Sequence, residues 1–154
     1  MLLGCALAAG VHLQLTKGAT PSQRLRRMRQ EMKIVRHKVR AVIFIRLDWT
    51  IQDTEKQFFR DFQRSCNSTT YPTVYFKTID FSVNQKGGNY SPLSKMPGWK
   101  DHEPMPGQCP ITGNGQMFWI ANGRIVDKLD VNDFNNVNQA VDFTERVFSM
   151  SEDE

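Results

Sequence analysis

AVIFIRLDWTIQDTEKQFFRDFQRSC, Ala41 to Cys66, changes its hydrophobic period half-way. Ala41 to Ile45 is an unbroken apolar run, the pattern of a strand covered on both faces, and it predicts that Val42–Leu47 lies at the centre of a sheet. From Phe58 the apolar residues fall at Phe58, Phe59, Phe62 and Cys66, one stripe of a helix. Thr50 and Asp53 between them are spaced as a capping box, with Asp where Glu or Gln is commoner. A strand thus feeds a helix N-terminus, whose unpaired N–H groups and positive dipole end suit chemistry or binding. Trp49 stands at that mouth with no cysteine beside it.

Working outward, Thr73–Phe81 follows Pro72 and is rich in β-branched and aromatic residues, a second strand. Two strands joined by a helix read as a parallel crossover unit. Upstream, Leu25, Met28, Met32, Val35 and Val39 step by three and four, an amphipathic helix with Thr20 or Ser22 as its cap and Pro21 in its first turn. Downstream, residues 82–115 dissolve into Gly, Pro, Asn and Ser around Met96, Trp99 and Met105. A loop of that length in a small domain is functional or disordered. Met117–Ala121 and Arg124–Leu129 flank Asn122-Gly123, the strongest short hairpin signal, and are expected to pair at one side of the sheet. Val137, Ala140, Val141, Val147 and Phe148 make a last helical stripe before an acidic tail over 150–154.

The chain has 154 residues, enough for one core and not two, so the expected division is an apolar, targeting-like segment at 1–20, one domain at 21–149 and the tail. The formal charge of +4 hides an asymmetry: residues 17–40 hold nine Lys/Arg against Glu31 alone, leaving the remainder acidic. The basic patch comprises Arg24, Arg26, Arg27, Arg29, Lys33, Arg36, Lys38 and Arg40. Cys5, Cys66 and Cys109 are widely spaced and form neither a CxxC pair nor, with His12, His37 and His102, a zinc-ligand pattern, so no metal or cofactor is expected. Residues 1–15 are apolar but short for a membrane span, and the absence of acidic residues before Glu31 is the composition of a mitochondrial presequence. An intracellular protein is favoured, with mitochondrial import, a membrane anchor and an ordinary folded element all open for this segment.

The order helix, strand, helix, strand, long loop, hairpin, helix resembles the thioredoxin-like superfamily over about Pro21 to Ser149. It is carried locally by the apolar strand running to Trp49 at a helix start and by MFWIANGRIVDKL with its Asn-Gly turn. The resemblance implies an α/β fold with a central mixed sheet, helices on both faces and a C-terminal β-hairpin plus helix. Three departures accompany it. Where thioredoxins follow the Trp with Cys-Gly-Pro-Cys, this chain has Thr50-Ile51-Gln52-Asp53. Their buried proton-accepting carboxylate, five residues before the Trp, corresponds to Phe44. Their cis-proline, counted back from Asn122, falls near Gly115, while the nearest proline is Pro110.

Three functions compete. The first is a redox-inactive thioredoxin-like domain that binds another protein, as phosducin-like members of the superfamily use the fold. Its contact residues would be Trp49, Thr50 and Asp53 at the mouth with Trp99 and Met105 from the loop, since aromatics and Met favour interfaces. The second is a monothiol redox enzyme using Cys109, with His102 in the same loop to lower its pKa. The third is binding of residues 17–40 to nucleic acid or an anionic membrane.

Overall fold

The computed structural model describes residues 18–46, 53–68, 73–82, 92–102 and 115–153. Its elements in chain order are α1 (Pro21–Arg36), β1 (Arg40–Arg46), α2 (Asp53–Asn67), β2 (Val74–Asp80), β3 (Gln116–Ala121), β4 (Arg124–Asp130) and α3 (Val137–Glu152), with short 3-10 turns at Trp99–His102 and Val131–Asp133. The strands form one sheet in the order β2-β1-β3-β4. β1 pairs parallel to β2 and antiparallel to β3, and β3 returns antiparallel along β4. The all-apolar strand is therefore central and the hairpin flanks it, as its sequence required. All six residues of β3 are buried, because helices cover the sheet on both sides.

The two faces sort by residue parity. Ala41, Ile43 and Ile45 of β1, Phe118 and Ile120 of β3 and Ile79 of β2 pack beneath Met28, Met32 and Val35 of α1. Val42, Phe44, Met117, Trp119, Val74 and Phe76 face the other way, onto Phe59, Phe62 and Cys66 of α2 and Ala140, Val147 and Phe148 of α3. A fully buried Phe or Met in such layers stabilises by about 1.5–3 kcal/mol relative to its exposed state. With helices on both faces of a mixed sheet, and a β-hairpin followed by a helix at the C-terminal end, the fold is thioredoxin-like.

Helix ends follow local chemistry. Thr20 caps α1: its Oγ1 accepts from Gln23 N at 3.2 Å while Gln23 Oε1 accepts from Thr20 N at 2.9 Å, and Pro21 occupies the first turn. α1 stops at Arg36, so Val39, expected on its stripe, is instead 63% exposed before β1. Asn136 caps α3, its side chain accepting from Gln139 N at 3.0 Å. The expected acidic tail is shorter than its composition implied, because α3 runs on to Glu152, held by an ion pair with Arg40, whose guanidinium also lies over the Phe148 ring.

The described part of the long irregular region, residues 92–102, is a cover over the α1 face. Leu93, Met96 and Trp99, three residues apart, are buried there, and Trp99 stacks on Phe118 with ring centroids 6.3 Å apart. Arg36 donates to the Pro92 carbonyl at 3.0 Å and Lys128 to that of His102 at 3.0 Å. Ile125 N on β4 donates to the Pro97 carbonyl at 2.8 Å, so the cover also blunts the outer edge of β4.

Candidate functional site

β1 ends at Arg46 and α2 begins at Asp53, so the mouth named from sequence lies between the C-terminal end of the central strand and the first turn of α2. Trp49 and Thr50 lie outside the described residues, as do Met105 and Cys109. Asp53 is described: it is the first residue of α2, its side chain fully exposed, 3.6 Å from Lys56. With Glu55 it supplies the acidic first turn that suits the positive end of a helix dipole.

The opposite wall of the mouth comes from the start of β3 and the end of β4. Gly115 occupies the position counted for a cis-proline, and a Cβ placed on it would lie 3.1 Å from Val131 and 3.5 Å from Glu55. Val131 N donates to the Gly115 carbonyl at 2.9 Å. Asp130, beside them, has its Oδ1 enclosed with no hydrogen-bond partner among the described residues. Burial, then the charge of Asp133, push its carboxyl above the ordinary value; Lys128 opposes them, and Glu55 adds a smaller push upward. The described wall of the mouth is thus acidic. A thiolate needs cationic or dipolar support, and neighbouring carboxylates oppose it.

Phe44 stands where the resemblance would put the proton-accepting carboxylate. Its ring is 1% exposed and stacks on Phe59 at 4.9 Å, so the space is filled by an aromatic pair. Phe59 and Phe76 extend this cluster edge-on at 5.9 Å. A cleft of about 430 Å³ opens beside it along α2, lined by Phe44, Phe59 and Phe76 with Arg46, Lys56 and Arg60. Cys66, the one described cysteine, is 2% exposed near the end of α2. Burial, with a smaller push from Glu145, lifts its thiol to about 12.

Of the contact residues named from sequence, Asp53 and Trp99 are described. Trp99 is a correction: only 6% exposed, it is a core residue under the cover segment and offers no open ring for a partner. Its three-residue spacing with Leu93 and Met96 was the available signal, masked by the surrounding Gly and Pro. The basic patch also divides. Arg36 bonds the cover segment, Lys38 lies over Tyr75 and Arg40 pairs with Glu152, whereas Arg26, Arg27, Arg29 and Lys33 are exposed on α1. Among the described residues, no group of His, Cys, Asp and Glu is arranged to hold a metal ion.

A solved structure of oxidised thioredoxin from Plasmodium falciparum aligns with 76% of this chain and 88% of its own, at 14% identity and a TM-score of 0.45. No family model and no curated protein matches the sequence.

Proposed function

We propose that the protein is a non-catalytic thioredoxin-like domain that binds another protein through the mouth between β1 and α2. The observation that carries the reading is the fate of Phe44: the place of a proton-accepting carboxylate holds an aromatic stack on Phe59. Disulfide exchange requires an attacking thiolate, a resolving thiol and a route for the proton. The sequence after Trp49 carries neither thiol, and the described thiol at Cys66 is buried and driven towards its neutral form. What the described scaffold presents is a helix start with an acidic first turn at Asp53 and Glu55, and an aromatic-floored cleft alongside. In this reading Trp49 is the anchor, with Thr50, Asp53 and Met105 around it.

The test compares the full chain with Trp49→Ala for unfolding stability and for capture of partners from its native source. An interface anchor costs about 2 kcal/mol or more in affinity when truncated, with the free fold nearly unchanged. A core Trp behaves oppositely, costing about 3–5 kcal/mol of stability. The expected result is a partner lost on substitution at near-native unfolding free energy. A large drop in stability with partner capture unchanged would make Trp49 a packing residue and defeat the proposal.

A further inference from the structure

α1 presents two chemically different sides. Met28, Met32 and Val35 are buried against the sheet, and its single carboxylate, Glu31, pairs with Lys77 of β2 at 3.4 Å. The outward side carries Arg26, Arg27, Arg29 and Lys33, all exposed. Arg26, Arg29 and Lys33 follow one another by three and four residues, so they form one row, which with Ser22, Leu25 and Gln30 lines a shallow groove. Ile34, 46% exposed, adds an apolar side chain among the cations. Among the described residues no carboxylate lies within ion-pair distance of these four side chains.

The sequence immediately before α1 supplies a second, independent feature. Residues 1–16 contain no Asp, Glu, Lys or Arg and are mostly apolar, and Thr20, the α1 cap, follows four residues later. That spacing spans at most about 15 Å of extended chain, so an apolar contact made by residues 1–16 holds the α1 cations near the same surface. A single modest apolar anchor gives only marginal membrane binding, and a polybasic patch is the usual second component. Each Lys or Arg near an anionic lipid surface adds attraction that fades within a Debye length.

We propose that the outward face of α1 docks on an anionic lipid surface. An exposed Ile among the cations suits a headgroup boundary, whereas the face has no aromatic ring on which a nucleic-acid base would stack.

Co-sedimentation of the full chain with phosphatidylcholine vesicles, with and without phosphatidylserine, tests this. The compared proteins are wild type, a variant carrying Arg26→Gln, Arg27→Gln, Arg29→Gln and Lys33→Gln, and a control with Arg64→Gln and Lys95→Gln. All substituted side chains are exposed, and thermal unfolding of each variant checks that the fold is kept. Wild type is expected to favour phosphatidylserine vesicles, with binding weakened by salt. The quadruple variant should bind at least about tenfold more weakly, and the control within about twofold of wild type. Equal binding to both vesicle types, or wild-type binding by the quadruple variant, would overturn the proposal. So would a wild-type protein that ignores vesicles yet binds duplex DNA or polyglutamate through the same four residues.

Discussion

Two polar side chains, buried Thr144 and half-buried Asp130, hold opposite positions in the energetics of this protein. The Trp119 indole N–H donates to Thr144 Oγ1 at 2.9 Å, and that hydroxyl donates to the Ala140 carbonyl at 2.7 Å, so a polar pair in the core is fully used. Thr144→Val strands the indole N–H and is expected to destabilise by about 1–3 kcal/mol in denaturant unfolding, while Thr144→Ser should cost much less. Asp130 is the reverse case, an enclosed carboxylate oxygen with no described donor. Because its folded-state pKa is raised above the ordinary 3.8, its contribution to stability is fully present below that value and is lost as pH rises through the raised pKa. Asp130→Asn is therefore expected to raise the melting temperature at neutral pH, with the gain shrinking as pH falls towards 4. A lower melting temperature at pH 7 would mean that the charged form is stabilised. Neither role was legible beforehand: Thr144 sits unremarked in the last helix, and Asp130 reads as an ordinary strand-end residue until β3 and Val131–Asp133 enclose it.

At the scale of elements, legibility tracked period. β1, α2 and the hairpin announced themselves because an apolar run, a three-four stripe and Asn122-Gly123 are local signals, and Asn122 and Gly123 both have the positive φ this turn needs. The cover segment was missed because its three buried residues follow a three-residue step inside a Gly- and Pro-rich stretch, and its hydrogen-bond partners Arg36, Ile125 and Lys128 are remote in sequence. Its fit against the hairpin is close. Gly98 has φ +85, and a Cβ there would stand 2.1 Å from the Ile125 carbonyl oxygen, where the backbone cannot yield cheaply. Gly98→Ala is expected to cost about 1–3 kcal/mol and to expose Trp99, seen as a red-shifted fluorescence in the folded state. Unchanged stability and emission would mean that residues 92–102 do not seal the core.

For the molecule as a whole, the sheet order follows from one argument: the strand with no polar face, β1, must be flanked on both sides, and a parallel partner reached through α2 leaves the hairpin for the other. On the proposed non-catalytic reading, three separate features disfavour thiol chemistry: an acidic wall at the mouth, the Phe44–Phe59 stack and a Cys66 thiol lifted to about 12. The candidate site was less legible than the fold. Binding residues carry no periodic signature, and charge runs such as residues 17–40 separate into packed and free cations only once α1 is seated on the sheet. The most direct measurement of the central claim is insulin reduction by the full chain in dithiothreitol, with Cys109→Ser and Cys66→Ser alongside. All three proteins are predicted to match dithiothreitol alone. Turnover comparable to an ordinary thioredoxin, above all if Cys109→Ser abolished it, would contradict a non-catalytic domain and assign the mouth to thiol chemistry.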